Sequence, residues 1–130
     1  MGSIEVEVYA ELRPTENEYK VKRAVLNIVD LPEVKVIEVE GTRYVYGRAT
    51  GLSALGKFKE LINREGIGDT ARDLFMRSIT GDTIVINVNK QAAYVGVLSF
   101  AMGEVESPLG PITIKIKAPN PEQVVNWLTS

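Results

Sequence analysis

The sequence predicts an α+β fold: a single domain over residues 1–130, with a largely antiparallel sheet and helices packed mainly on one face. Three observations carry that expectation. Strict apolar/polar alternation marks strands near both ends of the chain, at 4–12 and 112–117. Apolar residues at helical spacing mark helices between the strands. The order β-α-β-β-α-α-β-β-β-α groups strands into neighbouring pairs instead of alternating each strand with a helix, which favours antiparallel pairing. A chain of 130 residues is long enough to bury one sizeable core.

The first strand places Ile4, Val6, Val8, Ala10 and Leu12 on one face, with Glu5, Glu7, Tyr9 and Glu11 on the other. Thr15 and Glu18 fit a capping box that opens a helix. Val21, Ala24, Val25 and Ile28 share one face of that helix, Lys20, Lys22 and Arg23 lie away from it, and Leu31-Pro32 ends it. Runs 34–40 and 43–49 flank Gly41-Thr42 and read as a strand pair. Leu55, Phe58, Leu61 and Ile62 line a second helix, interrupted at Gly66 and Gly68; Ile67, Ala71, Leu74 and Phe75 line a third. Thr80-Gly81-Asp82 has turn chemistry. Runs 83–89 and 92–100 are expected to form a hairpin with Asn89-Lys90-Gln91 at its exposed tip. Ile112, Ile114 and Ile116 alternate with Thr113, Lys115 and Lys117 in the last strand. If that strand lies beside the first, its lysines oppose Glu5 and Glu7. Asn120-Pro121 starts a C-terminal helix buried through Val124, Val125 and Leu128, with Trp127 its largest apolar group. Ser107-Pro108-Leu109-Gly110-Pro111-Ile112 reads as a stiff, sharply bent connection.

Composition excludes several kinds of chemistry. The chain has no histidine and no cysteine. Ser-His-Asp and Cys-His nucleophilic systems, histidine general bases and structural zinc sites built on Cys or His are therefore ruled out. No apolar run approaches the roughly 20 residues of a membrane helix. With no signal peptide ahead of the first strand, the expectation is a cytoplasmic protein. Net charge is −2 and the pI about 5.3, so no global positive field draws nucleic acid to the chain. A nucleic-acid site has to be a local patch.

Few motifs carry chemistry. Residues 51–58, Gly-Leu-Ser-Ala-Leu-Gly-Lys-Phe, nearly match the phosphate-binding loop, but Phe58 stands where a Mg²⁺-binding hydroxyl belongs. Leu52 and Leu55 fit a helix start better. The carboxylates form no pair with the pocket and split environment that acid/base catalysis requires. No metal site, cofactor or catalytic residue is expected.

The basic residues are uneven. Between 41 and 77, Arg43, Arg48, Lys57, Lys59, Arg64, Arg72 and Arg77 face four acids, an excess of three positive charges. Tyr44, Tyr46 and Arg48 share a strand face, which is either a stacking surface for bases or an ordinary solvated sheet face. Lys90 and Gln91 are either contacts to RNA, a plain polar turn, or a tip that docks back on its own chain.

Three pieces of the sequence point further. Arg13-Pro14-Thr15-Glu16-Asn17-Glu18 followed by Val21-Lys22, then Asn89-Lys90-Gln91-Ala92-Ala93, then Ser107-Pro108-Leu109-Gly110-Pro111-Ile112 occur in that order. The combination resembles a small archaeal family of uncharacterised proteins described as predicted RNA-binding, over nearly the whole chain to Trp127-Leu128. The resemblance implies a fold similar to the ribosomal protein that binds 5S rRNA, with a distant likeness to double-stranded-RNA-binding domains, and brings no catalytic residues. The expected function is thus non-catalytic recognition of RNA backbone or shape, with Arg43, Arg48, Lys57, Lys59, Lys90 and Gln91 as candidate contacts. The alternative is a protein-interaction or homodimeric module with no nucleic-acid role, using an exposed sheet face or edge.

Overall fold

A computed structural model of the protein describes residues 3–100 and 110–130. Its elements are β1 (Glu5–Glu11), α1 (Glu18–Ile28), β2 (Lys35–Val39), β3 (Thr42–Thr50), a 3₁₀ turn (Leu52–Leu55), α2 (Gly56–Glu65), α3 (Gly68–Arg77), β4 (Ile79–Thr80), β5 (Thr83–Asn89), α4 (Lys90–Tyr94), β6 (Pro111–Lys117) and α5 (Pro121–Leu128). The strands form one antiparallel sheet in the order β2-β3-β1-β6-β5-β4. This is the α+β architecture that the alternating strands predict.

The pleat decides which side of the sheet is covered. Val6, Val8 and Ala10 of β1 stand opposite Ile116, Ile114 and Ile112 of β6, which in turn oppose Ile84, Ile86 and Val88 of β5. All nine are buried, and they form one cluster with Val21, Ala24, Val25 and Ile28 of α1, Phe58, Leu61 and Ile62 of α2, Ala71 and Phe75 of α3, and Val124, Val125 and Leu128 of α5. Phe58 stacks on Phe75 at 6.0 Å between ring centres. The other side of the sheet carries Glu5, Glu7, Tyr9 and Glu11 beside Tyr44, Tyr46 and Arg48, with Lys117 opposite Glu5 and Lys115 opposite Glu7 as the alternation implied.

Four local expectations are corrected. The cap of α1 is Asn17, whose side chain accepts from the Tyr19 and Lys20 amides at 2.9 and 3.2 Å, so Glu18 is the first helical residue instead of the far end of a capping box. Helix α1 closes at Ile28, ahead of Leu31-Pro32. A two-residue strand, β4, precedes the turn at 80–82 and pairs with β5. The expected strand 92–100 is instead the helical turn α4 followed by a loop that, among the described residues, bridges to β5 at Ser99 and Phe100. The Asn89 side chain is the cause: it accepts from the Ala92 amide at 2.8 Å and caps a helix where a hairpin tip was expected. Leu52–Leu55 and Gly56 form the helix start anticipated for residues 51–58, with Leu55 and Phe58 in the core. Residues 107–109 of the proline-rich connection lie outside the described residues.

Candidate nucleic-acid interface

The six candidates do not converge. Arg43 sits at the β2–β3 end of the sheet, 3.7 Å from Glu18 at the start of α1. The Lys22 ammonium, through a hydrogen bond and its charge, and secondarily Arg43 hold the Glu18 carboxyl below its ordinary value. Arg48 lies on the open face of the sheet with its guanidinium on Glu5 at 3.0 Å. Beside it the Tyr46 hydroxyl donates to Glu7 at 2.6 Å, and this bond, with some burial, raises the phenol above its ordinary value. The Tyr44 ring meets Tyr9 edge-on, and the Lys115 ammonium lies 5.7 Å from the Tyr9 ring centre. On this face Tyr9, Tyr44, Tyr46, Arg48 and Lys115 are engaged with one another or with Glu5 and Glu7.

Lys59 is turned to the C-terminus. Its ammonium donates to the carbonyls of Trp127 and Ser130 and to the Ser130 hydroxyl at 2.8–3.2 Å, and lies over the Trp127 ring. It satisfies carbonyls that end α5, where a cation also suits the helix dipole. Lys90 is turned inward. Its side chain is 5% exposed, and its ammonium donates to Glu11 O at 2.7 Å and to both carboxylate oxygens of Glu16, itself 8% exposed, at 3.0 and 3.1 Å. Glu16 also accepts from the Arg13 amide at 3.0 Å. Of the readings left open for residues 90–91, docking back on the chain describes Lys90, while Gln91 is exposed on α4.

That inward pair brings the motif pieces together. Glu16 comes from the first and Lys90 from the second, while Pro111 and Ile112 of the third stand opposite Asn89 and Val88. The helical side above this corner carries two adjoining clefts. One, of about 390 Å³, runs from Thr15 and Asn17 past Lys20 and Val21 to Gln91 and Tyr94. The other, of about 540 Å³, is bounded by Arg23, Asn27, Lys57, Glu60, Arg64, Tyr94 and Val95. Three cations thus face one carboxylate in the second cleft. Lys57 is steadied by the Leu26 carbonyl at 2.8 Å and Asp30 at 3.4 Å; among the described residues, Arg23 and Arg64 make no ion pair.

The turn between the clefts is clamped. Asn27 Nδ2 donates to the carbonyls of Ala93 and Tyr94 at 3.0 Å, and Glu65 accepts from the Leu98 amide at 2.9 Å. Fixed in this way, Tyr94 and Val95 are 37% and 70% exposed, unusual for large apolar side chains on a pinned segment. Arg23, Asn27, Arg64 and Tyr94 did not emerge as site residues from the sequence. The polar face of α1 was legible, but charge counted between 41 and 77 leaves out Lys20 and Arg23. Among the described residues no group of acidic side chains is arranged to hold a metal ion, and no helix is long and apolar enough to cross a membrane.

Comparison with known proteins agrees with the motif resemblance. The family model described as RNA binding matches residues 5–118. A UPF0201 protein of Metallosphaera sedula is 45% identical over 121 residues, 93% of this chain and 84% of that protein. One of Pyrobaculum neutrophilum is 40% identical over 126 residues, 96% of this chain and 88% of that protein. Among solved structures, the UPF0201 protein from Methanococcus jannaschii matches with a TM-score of 0.81 at 30% identity, covering 97% of this chain and 99% of that one. Family model, curated relatives and solved structure coincide over almost the full chain, which therefore belongs to the archaeal UPF0201 family, the family whose model is described as RNA binding.

Proposed function

We propose that this protein is a non-catalytic, cytoplasmic RNA-binding protein that grips RNA backbone with the helical side of its fold. The observation that carries this reading is the cleft lined by Arg23, Lys57 and Arg64 with Glu60 as its one lining carboxylate, two of the three cations being outside any ion pair among the described residues, on a chain whose net charge is negative. Phosphate recognition needs cations free to exchange their counterions, and guanidinium groups meet phosphate oxygens in pairs. Lys20, on the polar face of α1, and Gln91, on α4, extend the same surface. Of the sequence candidates, Lys57 and Gln91 belong to this interface. Arg43 and Arg48 serve sheet-edge and sheet-face ion pairs, and Lys59 and Lys90 fasten the fold. The likeness to the 5S-rRNA-binding ribosomal protein implied by the motifs is part of the same proposal.

The test compares two faces. Replacing Arg23 or Arg64 by Ala should weaken binding to a duplex RNA and lower the log–log salt slope by about 1 for each phosphate that is no longer neutralised. Arg48→Ala, on the opposite side of the sheet, should leave the slope unchanged. A larger loss from Arg48→Ala than from Arg23→Ala would move the interface to the sheet face and overturn this placement. A second reading rests on β2, whose outer edge pairs with no strand among the described residues: a partner strand could pair there, giving a homodimer or a protein complex. A monomeric mass across micromolar concentrations, with no partner recovered, would refute it.

A further inference from the structure

The clamped turn does something that backbone recognition does not require. In the proposed function the phosphate contacts fall to Lys20, Arg23, Lys57 and Arg64, yet Asn27 and Glu65 fix a segment that leaves Tyr94 37% exposed. Tyr94 is the residue the two clefts share among the described residues. The smaller cleft is apolar where Val21, Ala24 and Tyr94 line it, and Thr15 and Gln91 are among its polar lining residues. The Lys20 ammonium lies over the Tyr94 ring, 5.8 Å from its centre, so the ring already presents a face to a partner from α1.

Resting on the RNA-binding reading, the geometry points to a site for one unpaired nucleotide: its base stacks on Tyr94 in the smaller cleft, and its phosphates run toward Arg23 and Arg64. The chemistry fits each part. A partly apolar cleft beside a tyrosine accepts a base face, which every base has. The Gln91 amide offers both a donor and an acceptor to a base edge. A paired base is shielded by its neighbours in the stack, so only a bulge, loop or end can fill the site. The RNA this surface selects is therefore a duplex interrupted by an unpaired residue, in preference to a continuous duplex. Clamping the turn keeps the ring in place before RNA arrives, which lowers the ordering cost on binding.

The experiment uses the full chain and two RNA hairpins that differ only in one bulged 2-aminopurine. Binding is followed by anisotropy and by the fluorescence of the bulged base, which stacking quenches. The bulged RNA should bind more tightly, with quenching. Tyr94→Ala should lose about 5- to 150-fold in affinity for the bulged RNA, the span of a single base–aromatic stack, abolish the quenching, and change duplex affinity less than twofold. Tyr94→Phe, which keeps the ring, should stay within twofold of the unmutated protein on both RNAs and controls for a folding defect. Equal affinity for the two RNAs without quenching, or an equal loss on both from Tyr94→Ala, would overturn the nucleotide site while leaving salt-dependent duplex binding intact. No binding of either RNA at low salt would overturn the RNA-binding reading and the nucleotide site with it, leaving the clamped turn as a protein contact.

Discussion

The pair of Lys90 and Glu16 gives the sharpest prediction about the fold. Lys90→Met keeps most of the apolar stem and removes the ammonium. Glu16 is then left in a site that is 8% exposed, with the Arg13 amide as its remaining donor among the described residues. Breaking a buried pair by deleting one partner costs about 3–5 kcal/mol, because the other charge is left uncompensated. Three short bonds from the Lys90 ammonium place this case within that range. At about 4 °C per kcal/mol for a chain of this length, Tm should fall by about 12–20 °C. Glu16→Gln neutralises the partner, so the double variant should be less destabilised than the sum of the singles by about 2 kcal/mol. Urea unfolding followed by circular dichroism measures all three variants. Lys35→Met, at an exposed position of β2, should stay within about 0.5 kcal/mol and sets the baseline. If Lys90→Met stays within that baseline, or the two singles simply add, the pair does not hold the corner together and the reasoning fails.

Three further predictions test the backbone and the sheet face. A Cβ at Gly47 would come within 2.8 Å of Leu31 Cδ1 and 2.9 Å of Glu33 O; the side chain can move but the carbonyl cannot, so Gly47→Ala should cost about 1–3 kcal/mol in urea unfolding. Glu40 and Gly41 form a two-residue turn with φ of 50° and 83°, and Glu40→Asn should stabilise the hairpin by about 0.5–1 kcal/mol, read as a higher urea midpoint. The Tyr46 phenol is raised chiefly by its bond to Glu7, so the stability it contributes is present below the ordinary phenol value and is lost as pH rises through the raised folded-state value. Phenolate absorbance should show Glu7→Gln bringing that titration back down; an unchanged curve would show that the bond does not cause the shift.

What was legible in the sequence is what short-range pattern encodes. Alternation fixes both the strands and their covered face, so it also anticipates Lys115 and Lys117 opposite Glu7 and Glu5. Helical spacing finds Phe58 and Phe75 in the core for the same reason. Lys90 was misplaced because its partner is 74 residues away, and local polarity cannot distinguish a solvated lysine from one paired inside. Residues 92–100 misled because Val95, Val97 and Phe100 have strand propensity, while a single cap by Asn89 turns the chain into a helix. The cleft was invisible for the reason Lys90 was: Arg23 on α1 and Arg64 on α2 meet only when the helices pack, and the Tyr94 turn is positioned by Asn27 across 67 residues.

The central claim is that a negatively charged chain binds RNA through a local cationic cleft. The most direct measurement is a fluorescence-anisotropy titration with duplex RNA over a series of salt concentrations. If Lys20, Arg23, Lys57 and Arg64 each neutralise one phosphate, the affinity should fall with salt on a log–log slope of about −3 to −4. A flat salt dependence, or no binding at low salt where electrostatic attraction is strongest, would contradict the account.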